Sequence, residues 1–341
     1  MSTLSRRTFL QTSSAAAIAA ALPQILHAAT VTSCEFKLAV ITDEISPDFD
    51  HACSVIANDF GMRHAELRTM WSKNITSMGD DDLARAEATL RKYKLQVTDI
   101  ASPLFKTDFP GAPISKSSPR TDTHGASADL KEQDELLEKS IALAKRFKTD
   151  RIRCFDFWRL DDPTPYRAAV NAKLLEAANR VGKEHLILVL ENEFECNTAT
   201  GREAAQTLAA VQSPWLQLNW DPGNAVARGE LDAFPAGWDL LPKDRIGHCH
   251  VKCAIAEPDT KAGFEWAPVG KGSPDWVGQF KALKKIKYRH AVSLETHWRG
   301  GGSPEASTRI SWTGMHEALV KAGAAAPSPV PGTWPQVDIT G

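Results

Sequence analysis

Short apolar runs alternate with amphipathic runs along this chain, and no other feature narrows its fold as far. KLAVIT (37–42) leads into an amphipathic stretch that ends at Phe60 and Gly61. HAELR (64–68) precedes a helical run from Asp80 to Lys94, and LQVTDIAS (95–102) precedes a Pro-, Ser-, Gly- and Thr-rich loop at 103–128. Loops of that length inside a compact domain are usually functional, so a lid is expected there. From Leu130 to Lys148 the apolar residues Leu136, Leu137, Ile141, Ala144 and Phe147 recur at helical spacing. RIRCFDFW (151–158), HLILVLENE (185–193), WLQLNWD (215–221), IGHCHVK (246–252) and HAVSLETHW (290–298) read as strands. Helical runs fall at 164–183, 202–211, 274–286 and 304–322. Eight strand-like runs, most followed by a helix, predict a single-domain (β/α)8 TIM barrel. A doubly wound open sheet is the alternative, but no G-x-G-x-x-G follows the first strand, which disfavours a dinucleotide site.

The barrel is expected over 30–323, with an extended tail at 324–341. The first 29 residues are set apart. Arg6 and Arg7 lie in the pattern S-R-R-x-F-L, and the apolar run from Ala15 to Leu22 is too short to span a bilayer. This segment resembles a twin-arginine export signal. Cleavage is expected near Ala28 or Ala29, although neither Leu26 nor His27 is the small residue such a cut prefers. The expected partners therefore include the twin-arginine export machinery, the location is periplasmic or otherwise exported, and no stable membrane insertion is expected. That route carries folded, often cofactor-loaded proteins, which hints at a metal. With a net charge of −2 and both signs interspersed, the chain shows no basic stripe for nucleic acid. The six cysteines form no C-x-x-C pair, so a zinc ribbon is excluded and mostly free, buried thiols are expected.

Barrel strands alternate between the interior and the helix layer. Ile187, Val189 and Glu191 share one face, as do Gln217, Asn219 and Asp221; then His248, His250 and Lys252; then Ser293, Glu295 and His297. Four consecutive strands thus each end on a metal-capable residue: Glu191, Asp221, His250 and Glu295. Each has a plainer reading alone. A glutamate after an apolar run can cap a helix, a strand histidine can be a hydrogen-bonded core residue, and the Asp of D-P-G can be a turn residue. Converging at one barrel mouth, three carboxylates call for a cation.

The motifs LENE, NWDPGN, HCHVK, PVGKG and SLETH, in that order, resemble the xylose isomerase-like barrel family over about 37–322. The resemblance implies a divalent metal held by Glu191, Asp221, His250 and Glu295. It makes the second histidine of H-x-H the ligand and leaves His248 as a supporting or core group. Two positions depart from the pattern. Glu191-Asn192-Glu193 stands where many relatives have E-N-H, and Asn224 stands where several have histidine. The additional histidines of the family's AP endonucleases, with their three-metal cluster, are missing, which argues against nucleic acid.

Such an oxygen-rich donor set suits Mn²⁺ or Mg²⁺, with Co²⁺ or Zn²⁺ also compatible. The resemblance implies a sugar or sugar-like polyol isomerase or epimerase. Proton abstraction beside a carbonyl would give a metal-stabilised enediolate, with Glu191 and Glu295 as acid and base. Lys252 would polarise a substrate oxygen, or form a structural ion pair. Candidate substrate-binding residues are Glu66, Arg68, Trp71, Arg153, Trp158, Asn224, His248, Trp298 and Arg299. The tryptophans could stack on sugar C–H faces and the charged residues could bind hydroxyls, but salt bridges and core packing are their plainer readings. Alternatives for the whole chain are a lyase or dehydratase on keto-glycosides or inososes, and a non-catalytic sugar-binding barrel. The expected partner is a small carbohydrate. Relatives often pair, so a homo-oligomer is compatible.

Overall fold

The computed structural model describes residues 33–116, 118 and 130–327. The expected export signal, the tail beyond 327 and residues 119–129 of the long loop lie outside the described residues.

Eight strands build the barrel. They are β1 (Lys37–Val40), β2 (His64–Leu67), β3 (Gln96–Leu104) and β4 (Arg151–Cys154), then β5 (Ile187–Glu191), β6 (Leu216–Trp220), β7 (Ile246–Val251) and β8 (Ala291–Leu294). Their order is β1-β8-β7-β6-β5-β4-β3-β2, and every neighbouring pair is parallel. A parallel bridge from Ile41 to Glu66 brings β1 to β2. The sheet curls onto itself, so the open doubly wound alternative does not hold.

Helices α1 (Phe49–Ser54), α2 (Asp80–Tyr93), α3 (Leu130–Phe147) and α4 (Arg167–Gly182) alternate with the first strands. Helices α5 (Gly201–Ala210), α6 (Pro222–Ala227), α7 (Trp276–Lys285) and α8 (Pro304–Lys321) follow. Local chemistry sets their ends. Three aspartates open α2, where the helix dipole favours negative charge. Thr200 and Glu203 form a reciprocal capping box at α5. On α3 the predicted Leu137, Ile141, Ala144 and Phe147 are buried, whereas Leu136 is only partly covered.

The strands alternate as expected. Leu188, Leu190, Leu216, Leu218, Trp220, Val251, Val292 and Leu294 are buried in one apolar cluster with the helices, each such side chain contributing roughly 1.5–3 kcal/mol. The other face fills the barrel. Barrel interiors are commonly packed with Val, Ile and Leu, but this one holds Glu66, Asp99, Arg153, Asn219, His248, His250 and Ser293, all buried. Strand register sets Asn219 beside His248 and Ser293 beside His250.

Three local details differ from the sequence expectation. The ladders of β4 and β8 stop at Cys154 and Leu294, so Trp158 and Trp298 lie in loops. In the first case the chain turns at Phe157, whose φ is +68°. Between β6 and β7, where the sequence reading placed no helical run, the short α6 forms. Asp221 caps it, its side chain accepting from the Asn224 N–H at 2.9 Å, with Pro222 opening the helix. Beyond β7 the chain makes an antiparallel hairpin from Cys253–Ala256 and Phe264–Ala267, which the sequence reading did not include. All six cysteines are free, and five are buried.

Candidate metal centre

Glu191 ends β5, Asp221 follows β6, His250 lies near the end of β7 and Glu295 follows β8. The barrel's parallel register therefore delivers all four to the carboxyl ends of adjacent strands. Their donor atoms lie within 4.8 Å of one another, and all four residues are buried. His250 Nδ1 is 3.2 Å from both Glu191 Oε1 and Glu295 Oε2, and 3.8 Å from Asp221 Oδ2.

The residues fit a hard divalent cation. Asp221 Oδ2 and Glu295 Oε2 are buried without a hydrogen bond. Lys252 Nζ stands 2.9 and 2.7 Å from them, as a nearby charge rather than a well-aligned donor. Burial raises the Asp221 pKa to about 6, the Glu295 and Glu191 charges adding to the effect while Lys252 opposes it. Burial would pull His250 down, but Glu66, Glu191 and Glu295 hold it well above the usual histidine range. The cluster thus carries surplus negative charge around one imidazole nitrogen, and a cation would relieve it. Three carboxylates and an imidazole match Mn²⁺ or Mg²⁺ best and also accept Zn²⁺.

The remaining side chains named from the sequence fall into two groups. Most of the first group hold the ligands. Arg153 Nη1 donates to Glu191 Oε2 at 3.1 Å while its other nitrogens bond to the carbonyls of Ala101 and Ser102. Arg68 bridges Glu295 Oε1 at 2.9 Å to Asp43 and Glu44. Asn224 donates to Glu191 Oε1 and accepts from Lys252 Nζ, both at 3.2 Å. Glu66, first assigned to substrate, stands on the far side of His250, with Oε1 3.0 Å from Nε2. His248 lies deeper, Nδ1 3.1 Å from Asn219 Oδ1, and burial lowers its pKa to about 3. Arg299 sits further out on Glu44, at 2.6 Å.

The tryptophans form the second group. Trp71 packs edge-on against Phe49 and under the Arg85 guanidinium. Trp158 is buried beside Lys106 and pairs through its backbone with Cys196. Trp298 folds over Gly300. None of these contacts is with the four-residue group.

Several residues at this mouth escaped the sequence reading. Glu44 receives Arg68 and Arg299, and Lys106 pairs with Glu193 at 2.9 Å. Trp266 of the hairpin lies 5.1 Å from Lys252 Nζ and edge-on to His297, whose Nε2 is 3.3 Å from Glu295 Oε1. His297 could have been found, because it shares the strand-eight face with Glu295. Glu193 was visible as the departure from E-N-H. Lys106, Glu44 and Trp266 lie past strand ends or in the hairpin, where no period applies.

Fold and site together define a parallel TIM barrel with a buried carboxylate–histidine centre at its carboxyl mouth. The chain belongs to the xylose isomerase-like TIM barrel family, which it matches over residues 55–314. It is 28% identical over 167 residues to a protein of Escherichia coli (strain K12) provisionally assigned as L-ribulose-5-phosphate 3-epimerase SgbU, covering 47% of this chain and 56% of that protein. The chain therefore spans a little over half the length of that curated relative. Among solved structures it resembles the IOLI protein with a bound zinc atom, at a TM-score of 0.63 and 16% identity, covering 84% of this chain and 99% of the other. It also resembles a Bacillus anthracis protein assigned as the 3-DHS dehydratase AsbF, at a TM-score of 0.59 and 20% identity, covering 84% and 98%. At those identities the two structures bear on the fold.

Proposed function

We propose that this protein is a divalent-metal-dependent isomerase or epimerase of sugars or sugar-like polyols. The observation that carries the reading is the convergence of Glu191, Asp221, His250 and Glu295, with two buried carboxylate oxygens that accept no hydrogen bond. The epimerase assignment of the partial relative supports the same reaction class. When bound, the ion would supply Lewis-acid stabilisation of negative charge developing beside a carbonyl.

The chain's own residues supply the rest. Glu191 is kept ionised against its burial by His250 and Arg153, and Glu295 by Lys252, His250 and His297. Arg68 and Arg153 fix one oxygen of each glutamate and leave the other at the centre. Ionised and oriented, the two can take a proton from the carbon beside the carbonyl and return it from the other face. Lys252, kept protonated by Asp221 and Glu295 despite its burial, can hold a substrate oxygen. Elimination is the second reading. The His297 ring beside Glu295 offers an acid that could protonate a leaving oxygen. We also propose, from the S-R-R-x-F-L pattern, that the chain is exported.

The test is elemental analysis of the purified protein beside Glu191→Gln and His250→Ala, followed by a sugar and keto-glycoside screen read by mass. Near-stoichiometric metal in the wild type, lost in both variants, is expected. A product of unchanged mass would identify an isomerase, and an unsaturated product with a released fragment a lyase. A wild type that takes up no divalent ion, even with Mn²⁺ added, would sink the mechanism and favour a sugar-binding barrel.

A further inference from the structure

One charged pair at the mouth is not used by the metal centre. Lys106 lies just past β3, and its Nζ donates to Glu193 Oε2 at 2.9 Å. The two side chains are only 10% and 5% exposed. The ammonium stands 4.6 Å from the Phe155 ring and 5.6 Å from that of Trp158. The second carboxylate oxygen, Glu193 Oε1, is buried and accepts no hydrogen bond. A buried carboxylate oxygen without a partner is costly, and such groups in native proteins are normally met by water or a ligand. Glu193 is two residues beyond Glu191, and its charge also reaches Lys252. The pair therefore borders the metal centre.

The chemistry of the pair selects its ligand. A hydroxyl can donate to Glu193 Oε1 and accept from a remaining hydrogen on Lys106 Nζ. Trp158 beside the ammonium borders the pair with apolar ring surface of the kind that packs on sugar C–H faces, while Phe155 is fully buried beneath Lys106 and Arg153. A phosphate fits badly. It would set a dianion against Glu193 with one ammonium nearby that is already paired. The other cations at the mouth are committed as well: Arg68 to Asp43, Glu44 and Glu295, Arg153 to Glu191, Arg299 to Glu44, and Lys252 to Asp221 and Glu295. Each of these already faces at least one carboxylate, so a phosphate dianion would have to compete for it, whereas a neutral hydroxyl can share it.

We infer that Lys106 and Glu193, with Trp158 beside them, form a hydroxyl-recognition subsite that selects an unphosphorylated polyol or sugar over a sugar phosphate. The inference deepens the metal-dependent sugar reading and rests on it.

The test compares binding of D-fructose and D-fructose 6-phosphate to the Mn²⁺-loaded full chain, read by intrinsic tryptophan fluorescence and calorimetry. Wild type, Glu193→Gln and the double variant Lys106→Met/Glu193→Gln are measured, with metal content assayed on the same samples. The double variant removes both charges together and leaves no buried unpaired ion. Wild type is expected to bind D-fructose at least ~10-fold more tightly than its phosphate, and both variants to lose ~10-fold in D-fructose affinity with metal content unchanged. In Glu193→Gln the gap between the two ligands should narrow, because the repelling carboxylate is gone. The inference is overturned if wild type holds metal but binds the phosphate as tightly as the free ketose, or binds neither. Variants that bind D-fructose as wild type does would overturn it too. A wild type without metal would take down the sugar-isomerase reading, and this inference with it.

Discussion

His250 is addressed on both ring nitrogens, and this decides what it can do. Its Nε2 faces Glu66 Oε1 at 3.0 Å and its Nδ1 faces the carboxylates of Glu191 and Glu295. An Nε2–H donated to Glu66 would fix the tautomer and the ring, and would leave Nδ1 to hold an ion. Glu66 itself is held ionised, its pKa about 2, because the two histidines and Arg153 outweigh its burial. Glu66→Gln should therefore weaken Mn²⁺ binding by ~10–100-fold in calorimetry, less than His250→Ala does; equal affinity in wild type and Glu66→Gln would show that the contact does not orient the ligand. Asp99 poses the opposite problem. It is fully buried, neither oxygen has a hydrogen bond, and burial plus the Glu66 charge raise its pKa to about 8. In the unfolded chain an aspartate ionises near ~4. Between those values the folded state holds one more proton, so stability is fully present below about pH 4 and is lost as pH rises through about 8. Asp99→Asn, measured in chelator, should flatten this slope, removing on the order of 2 kcal/mol of the loss between pH 6 and 8. Parallel denaturation curves for the two proteins at both pH values would refute the assignment.

At the scale of elements, legibility follows periodicity. Glu191, Asp221, His250 and Glu295 could be picked out because a strand turns every second residue inward, and parallel neighbours end at similar depth. Glu191 and Asn219 are register partners, and so are Asn219 and His248, so one level of the barrel can be followed across three strands. The same rule could not tell which inward residue would meet a metal and which would support it. Glu66 shares its face with Arg68, yet one lies behind His250 and the other on Glu295. That difference is made by the distance between opposite walls of the barrel, which no single strand encodes. Beyond the ladders the period stops. Lys106 follows Phe105, whose φ is +63°, and Glu44 lies in a single helical turn after β1. Trp266 reaches Lys252 only because the hairpin pairs it with Ala254. The short α6 was hidden for another reason. Asp221-Pro222-Gly223 reads equally as a turn or as a cap with proline at the first helical position, and the structure uses the second.

At the scale of the whole molecule, the barrel sets an apolar outer layer around a polar, charged interior. The outer layer carries the hydrophobic stabilisation, and the interior places several carboxylates close together where water cannot screen them. Arg68, Arg153, Lys106 and Lys252 answer most of that charge. The Asp221 pKa is raised mainly by burial, with the Glu295 and Glu191 charges adding to it, and a cation bound there would offset both effects. A ligand that binds only the folded chain stabilises it by mass action, by roughly 2.7 kcal/mol at a hundredfold excess over Kd. For a domain of this size that corresponds to a rise of several degrees in Tm. Excess Mn²⁺ should therefore raise Tm by several degrees over the chelated protein, and the rise should vanish in Glu191→Gln and His250→Ala. Both variants should melt below chelated wild type, since His250→Ala removes the cation the carboxylates face and Glu191→Gln takes a partner from Arg153 and His250, so the comparison rests on the Mn²⁺-dependent shift within each variant. Asp156, whose oxygens are satisfied by Thr198 and Arg167 in the loop after β4, supplies a control. Asp156→Asn should lower Tm with and without Mn²⁺ alike, because its partners are structural. If Mn²⁺ leaves wild-type Tm unchanged, or still raises it in Glu191→Gln and His250→Ala, then the barrel interior balances its own charge and the buried carboxylates serve some other end.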